Sequence, residues 1–424
     1  MNEFLNRRSA LKWAAILPIL GAFAADALWE KARAAVGKKP AGNIYTRLGV
    51  RPFINARGTW TYLSGSLELP EVRAAKQEAA RYFVDIFELQ RAAGKRLAEL
   101  SGAESGMVTS GSAGAMASAA AACMAGPDPV KIWQLPDTTG LKSEIVMFGG
   151  RSAFDSALRL TGAKLVVTHT PEELQSAIGP KTAMIYTTRL GDSLEKAIAI
   201  AKQMKVPLLL DDAAGIPPIE NLRLYAKMGV DLFCFSGGKG LGGPQCSGLL
   251  IGRKNLIEAA LANTSPWEGA VCRAMKVGKE EVMGCLAAVE AWTKYDLEAL
   301  NREWNRRVKR IAAVVETVPG VTTSIKIPDG GNRYPTLTVG WDESAWNFSV
   351  ADCDGELRNG EPRIEVLTDS NPSLVPAVKE GDPKAPREKN KLQIISMTMQ
   401  PGEEMIVGRR LRQILANARA KSNA

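Results

Sequence analysis

Between about residues 105 and 252, short apolar runs alternate with segments of helical period. The runs are Gly106–Thr109, Glu144–Phe148, Lys164–His169, Thr182–Thr188, Pro207–Leu210, Asp231–Phe235 and Ser247–Ile251. Several are β-branched or almost continuously apolar, the pattern of strands covered on both faces. Strands spaced by helix-length segments predict an α/β domain with a mostly parallel, seven-stranded sheet. From Lys279 to about Val318 the pattern is helical, with Gly284 the one early breaker, and predicts a connecting helix or helix pair. From Thr322 onward strand and helix signals mix, as in a smaller α+β domain. Within it, Thr368–Lys391 is rich in Pro, Lys and Asp and reads as a flexible insertion.

Composition narrows the classes. A chain of 424 residues, 46% hydrophobic, is long enough for two or three domains. Its net charge is +9, but residues 1–40 hold seven basic residues against three acids. The mild remainder argues against a dedicated nucleic-acid surface. Of the six cysteines none forms a CxxC pair, and none has a histidine nearby in sequence. No metal site is expected from them. Buried free thiols are the simpler reading of Cys123 and Cys234. A single histidine, His169, excludes most histidine-based triads and receives no role.

The N-terminus reads as an export signal. Arg7-Arg8-Ser9-Ala10-Leu11-Lys12 precedes the apolar run Trp13–Ala25. That run is short of the ~20 residues a membrane span needs. A basic stretch before a short apolar one is the signal-peptide pattern. Paired arginines resemble the twin-arginine type, although Asn6 and Ala10 depart from the usual residues. Ala22-Phe23-Ala24 and Ala32-Arg33-Ala34 both fit a cleavage site. The expected location is periplasmic or exported by the twin-arginine machinery, the alternative being an uncleaved membrane anchor.

Three features together suggest pyridoxal 5'-phosphate (PLP). That cofactor needs an amine for its aldehyde, an anion for its ring nitrogen, a phosphate cradle and a contact for the ring face. Lys239 lies in Ser236-Gly237-Gly238-Lys239-Gly240, a glycine-rich turn between two apolar strands. Glycines let backbone approach a bulky ligand closely, and Ser236 can donate to the phosphate. A Walker A loop is the rival, but its spacing and its Ser/Thr after the lysine are missing. Asp211 ends the apolar run Val206–Leu210, where open α/β sheets place ligands. Asp211 is the expected partner of the ring nitrogen. Asp212 should point to the opposite face, and small Ala213 can lie beside the ring. Ser110-Gly111-Ser112 follows a strand and opens a helix, a natural anion site. Arg363, on a probable strand of the small domain, is a candidate clamp for a substrate carboxylate.

These motifs, with their flanks, resemble a known group. Asn55-Ala56-Arg57-Gly58-Thr59, Val108-Thr109-Ser110-Gly111-Ser112, Ser236-Gly237-Gly238-Lys239, Gly243-Pro244-Gln245, Arg273-Ala274-Met275-Lys276-Val277-Gly278-Lys279-Glu280 and Gly360-Glu361-Pro362-Arg363 carry the likeness. The chain resembles the selenocysteine-synthase-like PLP enzymes over residues 43 to about 417, and most of all their D-glucosaminate-6-phosphate ammonia-lyase branch. The resemblance implies the aspartate-aminotransferase-like fold, PLP fold type I, and a homodimer or higher homo-oligomer with shared active sites. It implies that Lys239 bonds the cofactor, Asp211 faces its ring nitrogen, and Ser110, Gly111 and Ser112 hold its phosphate. Arg273 and Lys276 fall where the group places basic residues near phosphate or substrate, and Arg57 joins them as a candidate substrate contact. Relatives stack a histidine on the ring. Here the matching position is Gly150, which leaves the ring face to Phe148 or Phe154.

The expected organisation is a signal at 1–34, an N-terminal segment at 43–95 serving the small domain and subunit contacts, a large PLP-binding domain at 96–278, a connecting helix at 279–318 and a small domain at 319–424. The expected activity is α,β-elimination on an amino acid or amino-sugar acid, releasing ammonia and a keto acid. Transamination or racemisation would use the same residues. Selenium transfer on seryl-tRNA fits less well, because a signal stands where a tRNA-binding region would be. A binding protein that has lost its chemistry is the alternative from another class.

Overall fold

The computed structural model describes residues 42–328, 333–368 and 391–422. The expected signal, with Arg7 and Arg8, lies outside them, as does most of the expected insertion. Met1–Phe53 and Ile54–Ala424 form two units. The described part of the first contains a 3-10 turn, Thr46–Leu48, entered through Asn43, whose side-chain oxygen accepts from the N–H groups of Tyr45 and Thr46.

The second unit contains twelve described strands: β1 (Ile54–Ala56), β2 (Ser105–Thr109), β3 (Glu144–Phe148), β4 (Lys164–Thr168), β5 (Thr182–Thr187), β6 (Leu208–Asp211), β7 (Leu232–Ser236), β8 (Gly248–Gly252), β9 (Thr322–Lys326), β10 (Thr336–Gly340), β11 (Ile364–Val366) and β12 (Leu392–Ile395). The seven strands expected from the apolar runs form one sheet in the order β2-β8-β7-β6-β5-β3-β4. β8 is antiparallel to both neighbours, while β7-β6-β5-β3-β4 are parallel. β2, being antiparallel to β8, runs with the parallel set. Thr109, Phe148, Thr187, Asp211 and Ser236 therefore all end at one edge of the sheet.

Both faces of the sheet are covered, as its apolar strands require. The Ala-rich helix Gly111–Ala125 lies in the core on one face, buried almost all round. Its small side chains let it sit close to the strands. Helices Ile86–Ser101, Asp192–Met204 and Lys279–Trp292 cover the other face. Ile86–Ser101 comes closest at Gly94, where an added Cβ would lie 2.3 Å from the Gly106 carbonyl oxygen.

The expected connecting helix is a pair, Lys279–Trp292 and Leu297–Val315. The break is local chemistry: the Asp296 carboxylate accepts from the Ala299 N–H and starts the second helix. Leu297–Val315 packs with Glu403–Ser422 over a three-stranded antiparallel sheet, β12-β10-β9. β1 pairs in parallel with β11, so Ile54 and Ala56 enter the core of this smaller part from the other end of the chain.

Gly94→Ala is expected to lower the apparent melting temperature, because the carbonyl it meets belongs to a packed strand; overpacked cores lose ~1–3 kcal/mol. Gly355→Ala is the control. It also lies inside a helix, its Cβ meets nothing within 4 Å, and the usual gain of ~0.5–1 kcal/mol should appear. Equal behaviour of the two in thermal melts would refute the close approach at Gly94.

Candidate active site

The turn after β7 is shaped by backbone contacts. Gly237 N–H donates to the Ser247 carbonyl at 2.8 Å, and Gly243 N–H to the Gly237 carbonyl at 2.8 Å. From the N-terminal segment, Ser66 N–H reaches the Gly238 carbonyl at 3.0 Å and Leu69 N–H the Gly242 carbonyl at 2.9 Å. An added Cβ on Gly238 would lie 2.6 Å from Gln245 Cα; on Gly240 it would lie 1.8 Å from the Tyr334 hydroxyl. The glycines flanking Lys239 are thus demanded by packing, and the lysine side chain leaves the turn toward a cavity.

Asp211 ends β6 at the same edge. Its carboxylate accepts from the Tyr186 hydroxyl at 2.9 Å, from the Ala213 N–H at 3.1 Å and from the Cys234 thiol at 3.5 Å. Burial, with the Asp211 charge adding to it, pushes both the Tyr186 phenol and the Cys234 thiol up, so both remain protonated donors at neutral pH. Asp212 turns to the other face, accepts from the Tyr225 hydroxyl at 2.6 Å and has its carboxyl pKa raised by burial. Tyr186 was not singled out in the sequence, and Cys234 was read there only as a buried thiol. The parallel register carries the missing signal: Cys234 pairs with Asp211, and Tyr186 with Leu209, two residues before it.

Helix Gly111–Ala125 begins at the sheet edge with Ser110 as its N-cap residue, and no side chain caps it. Gly111 adopts φ +71°, in the left-handed region. Gly248 presses against this start, with an added Cβ 2.4 Å from the Gly111 carbonyl carbon. Free N–H groups and the helix dipole there suit an anion.

Gly111, Ser112, Asp211, Ala213, Ser236 and Lys239 line one cavity of about 740 Å³. Phe154 also lines it, and Lys239 Nζ lies 5.8 Å from the centre of its ring. Phe148 does not face it. That ring is 2% exposed and is covered by the Arg189 guanidinium at 4.6 Å. Residues the sequence did not flag complete the wall. Thr59 lines it with a buried hydroxyl that has no hydrogen-bond partner among the described residues, and Gln245 donates to the Thr61 carbonyl at 2.9 Å.

Comparison with known proteins decides the family. Residues 193–311 match the model of the L-seryl-tRNA selenium transferase family. The chain is 34% identical to a 5'-C-glycyluridine monooxygenase-decarboxylase from a Streptomyces species, over 76% of this chain and 83% of that protein. It is 29% identical to the D-glucosaminate-6-phosphate ammonia lyase of Salmonella typhimurium, over 76% and 88%. A solved structure of D-glucosaminate-6-phosphate ammonia-lyase superposes with a TM-score of 0.73 at 27% identity, covering 89% of this chain and all of that one. The serine palmitoyltransferase of Sphingomonas wittichii, at 13% identity and a TM-score of 0.54, shares the fold. The chain belongs to the selenocysteine-synthase-like family of PLP enzymes.

The cavity fits the cofactor of that family. One amine, the Asp211 carboxylate held by three donors, an uncapped helix start and an aromatic face, with Asp212 also in the wall, surround a space of the usual ligand size, ~300–1,000 Å³. The substrate-side arginines fit less simply. Arg57, expected at the substrate, is fully buried; it donates to the Val366 carbonyl at 2.8 Å and stacks near Trp60 and Tyr62. It is held within the smaller part by those acceptors and is not among the cavity's lining residues. Arg363 donates from both Nε and a terminal nitrogen to the buried Glu365 carboxylate and is not among the cavity's lining residues. Arg273 is half-buried and Lys276 exposed; neither lines the cavity, and their neighbour Met275 lies 3.9 Å from a Cβ built on Gly114 in the uncapped helix.

Asp211→Asn should weaken PLP binding, and Tyr186→Phe should do so by ~10-fold or more, since hydrogen bonds to charged groups contribute ~1.5–3 kcal/mol. Asp212→Asn should be milder. Lys239→Ala should lose the visible absorbance of lysine-bound cofactor. Spectral titration with PLP reads all four; a stronger loss from Asp212→Asn than from Asp211→Asn would reverse the assignment.

Proposed function

We propose that this enzyme is a lyase that eliminates a β-hydroxyl from an amino acid or amino-sugar acid, releasing ammonia and a keto acid. The observation that carries the reading is the convergence of Lys239 and Asp211 on one cavity at the carboxyl edge of the sheet. Likeness to an ammonia lyase supports it. When bound, PLP supplies an electron sink for the charge left at Cα.

The residues then divide the work. Asp211, which accepts from Tyr186, Ala213 and Cys234, would face the ring nitrogen. The uncapped helix at Gly111 and Ser112, with the Ser236 hydroxyl, anchors the phosphate. Phe154 covers the ring face that Gly150 leaves open. The Lys239 amine would hold the cofactor and would serve as the base that takes the substrate's α-proton. Loss of the β-hydroxyl as water, with that proton, would leave an enamine, and hydrolysis of its imine tautomer by one further water would give the keto acid and ammonia.

Purified enzyme with PLP should release ammonia and keto acid in equal amounts from a panel of β-hydroxy amino acids and amino-sugar acids. Lys239→Ala should abolish this, and Phe154→Ala should reduce both turnover and PLP affinity while Phe154→Tyr retains them. Amino-group transfer to an added keto acid, with no free ammonia, would overturn the lyase reading.

We also propose export in the folded state through the twin-arginine route. The site joins Gly111, Asp211 and Lys239 from separate elements, so it exists only after folding, and PLP is a cytoplasmic product. Cells producing the wild type should show coloured enzyme outside the cytoplasm. An Arg7→Lys, Arg8→Lys double variant should remain inside, equally coloured. Equal export of the two would refute this route.

A further inference from the structure

Among the residues lining the cavity, Lys239 is the one cation, while Asp211 and Asp212 are both acidic. Lys239 is taken up by the cofactor on the reading above, so an anionic group on the substrate needs a positive charge from just beyond the wall. Arg57 and Arg363 are committed to protein acceptors. Arg151 and Arg159 both pair with the buried Asp155.

Arg189 is placed differently. It follows β5 at the same sheet edge, between Thr188 and Leu190, which both line the cavity. Its backbone is fixed by an N–H bond to the Thr187 hydroxyl at 3.0 Å. Its guanidinium is half-buried and lies 4.6 Å over the Phe148 ring. Stacking of this kind positions a guanidinium by one face and leaves its donor edge open. No carboxylate or carbonyl among the described residues accepts from that edge. Beside it, a Cβ on Gly149 would lie 3.7 Å from Arg189 Nε, and one on Gly150 would meet nothing within 4 Å. The protein thus holds a fork of five N–H donors, partly shielded from water, on a residue flanked on both sides by residues that line the cavity.

We infer that Arg189 binds an oxyanion of the amino substrate, a carboxylate or a phosphate, and so selects anionic substrates. This rests on the proposed use of Lys239 and PLP. Phe148 serves as the platform that keeps the guanidinium extended, a positioning residue that does not touch the substrate.

The test uses holoenzyme and four amines: D-serine and L-serine (carboxylate), phosphoethanolamine (phosphate) and serinamide (neither). Each is titrated while the visible band of the lysine-bound cofactor is followed. Wild type should bind at least one anionic amine about 10- to 100-fold more tightly than serinamide, the range expected of charge-assisted hydrogen bonds. The amine preferred tells carboxylate from phosphate. Arg189→Gln should abolish the preference while keeping the cofactor band and the serinamide affinity. Arg189→Lys should restore part of it. A variant that keeps the preference, or loses serinamide binding equally, overturns the role of Arg189. A wild type whose band responds to none of the amines overturns the underlying reading of the site as well.

Discussion

The turn between β7 and β8 has no room for side chains, and much of the site depends on that. Gly237 and Gly238 face Ser247 and Gln245 of the same turn, and Gly240 faces Tyr334 and Ile216, all at distances that a Cβ cannot share. Because the backbone lies so close, it can receive the N–H groups of Ser66 and Leu69 from the N-terminal segment. The same segment leads back through Thr59 to β1, which pairs with β11 in the smaller part. A single crowded turn therefore connects Lys239, one wall of the cavity and the smaller part of the unit. Rigid support of this kind is what a covalently engaged lysine needs, since catalytic geometry tolerates little displacement.

Two adjacent carboxylates acquire different properties through strand alternation. Asp211 faces hydrogen-bond donors from β5 and β7. Asp212 faces the other layer, where burial opposes its charge and Tyr225 partly compensates. Gly215 makes room for it, since any side chain there would overlap the Asp212 carboxylate. The adjacent aspartates are alike in sequence, and the pleat separates them into one that meets Tyr186 and Cys234 and one that meets Tyr225.

The arginines show how strongly folding redistributes charge. Glu365 is wholly buried and draws both Arg358 and Arg363 to it. A buried carboxylate without such partners would cost several kcal/mol, so these cations are held where they are. Arg57 is fixed in the same region by carbonyl acceptors and aromatic faces. Arg189 stacks on Phe148 instead of meeting an acid, and its donor edge stays available.

The sequence alone determined the seven strands, their two-sided burial, the glycine-rich lysine turn and the opposite facing of Asp211 and Asp212. Those properties are local: they follow from runs of apolar residues, from period-two alternation and from the lack of a Cβ. It also located the helix start at Gly111, because a capping-type residue after a strand is a local signal. Tertiary structure decided what depends on partners far along the chain. Tyr186 and Cys234 became donors to Asp211 only through strand register, and Phe154 rather than Phe148 faced the cavity only because Phe148 was taken into the core. Arg57 and Arg363 were indistinguishable from substrate clamps until Val366 and Glu365 were seen beside them. A guanidinium's role is set by the acceptor it meets, and acceptors more than a few residues away are invisible to local pattern.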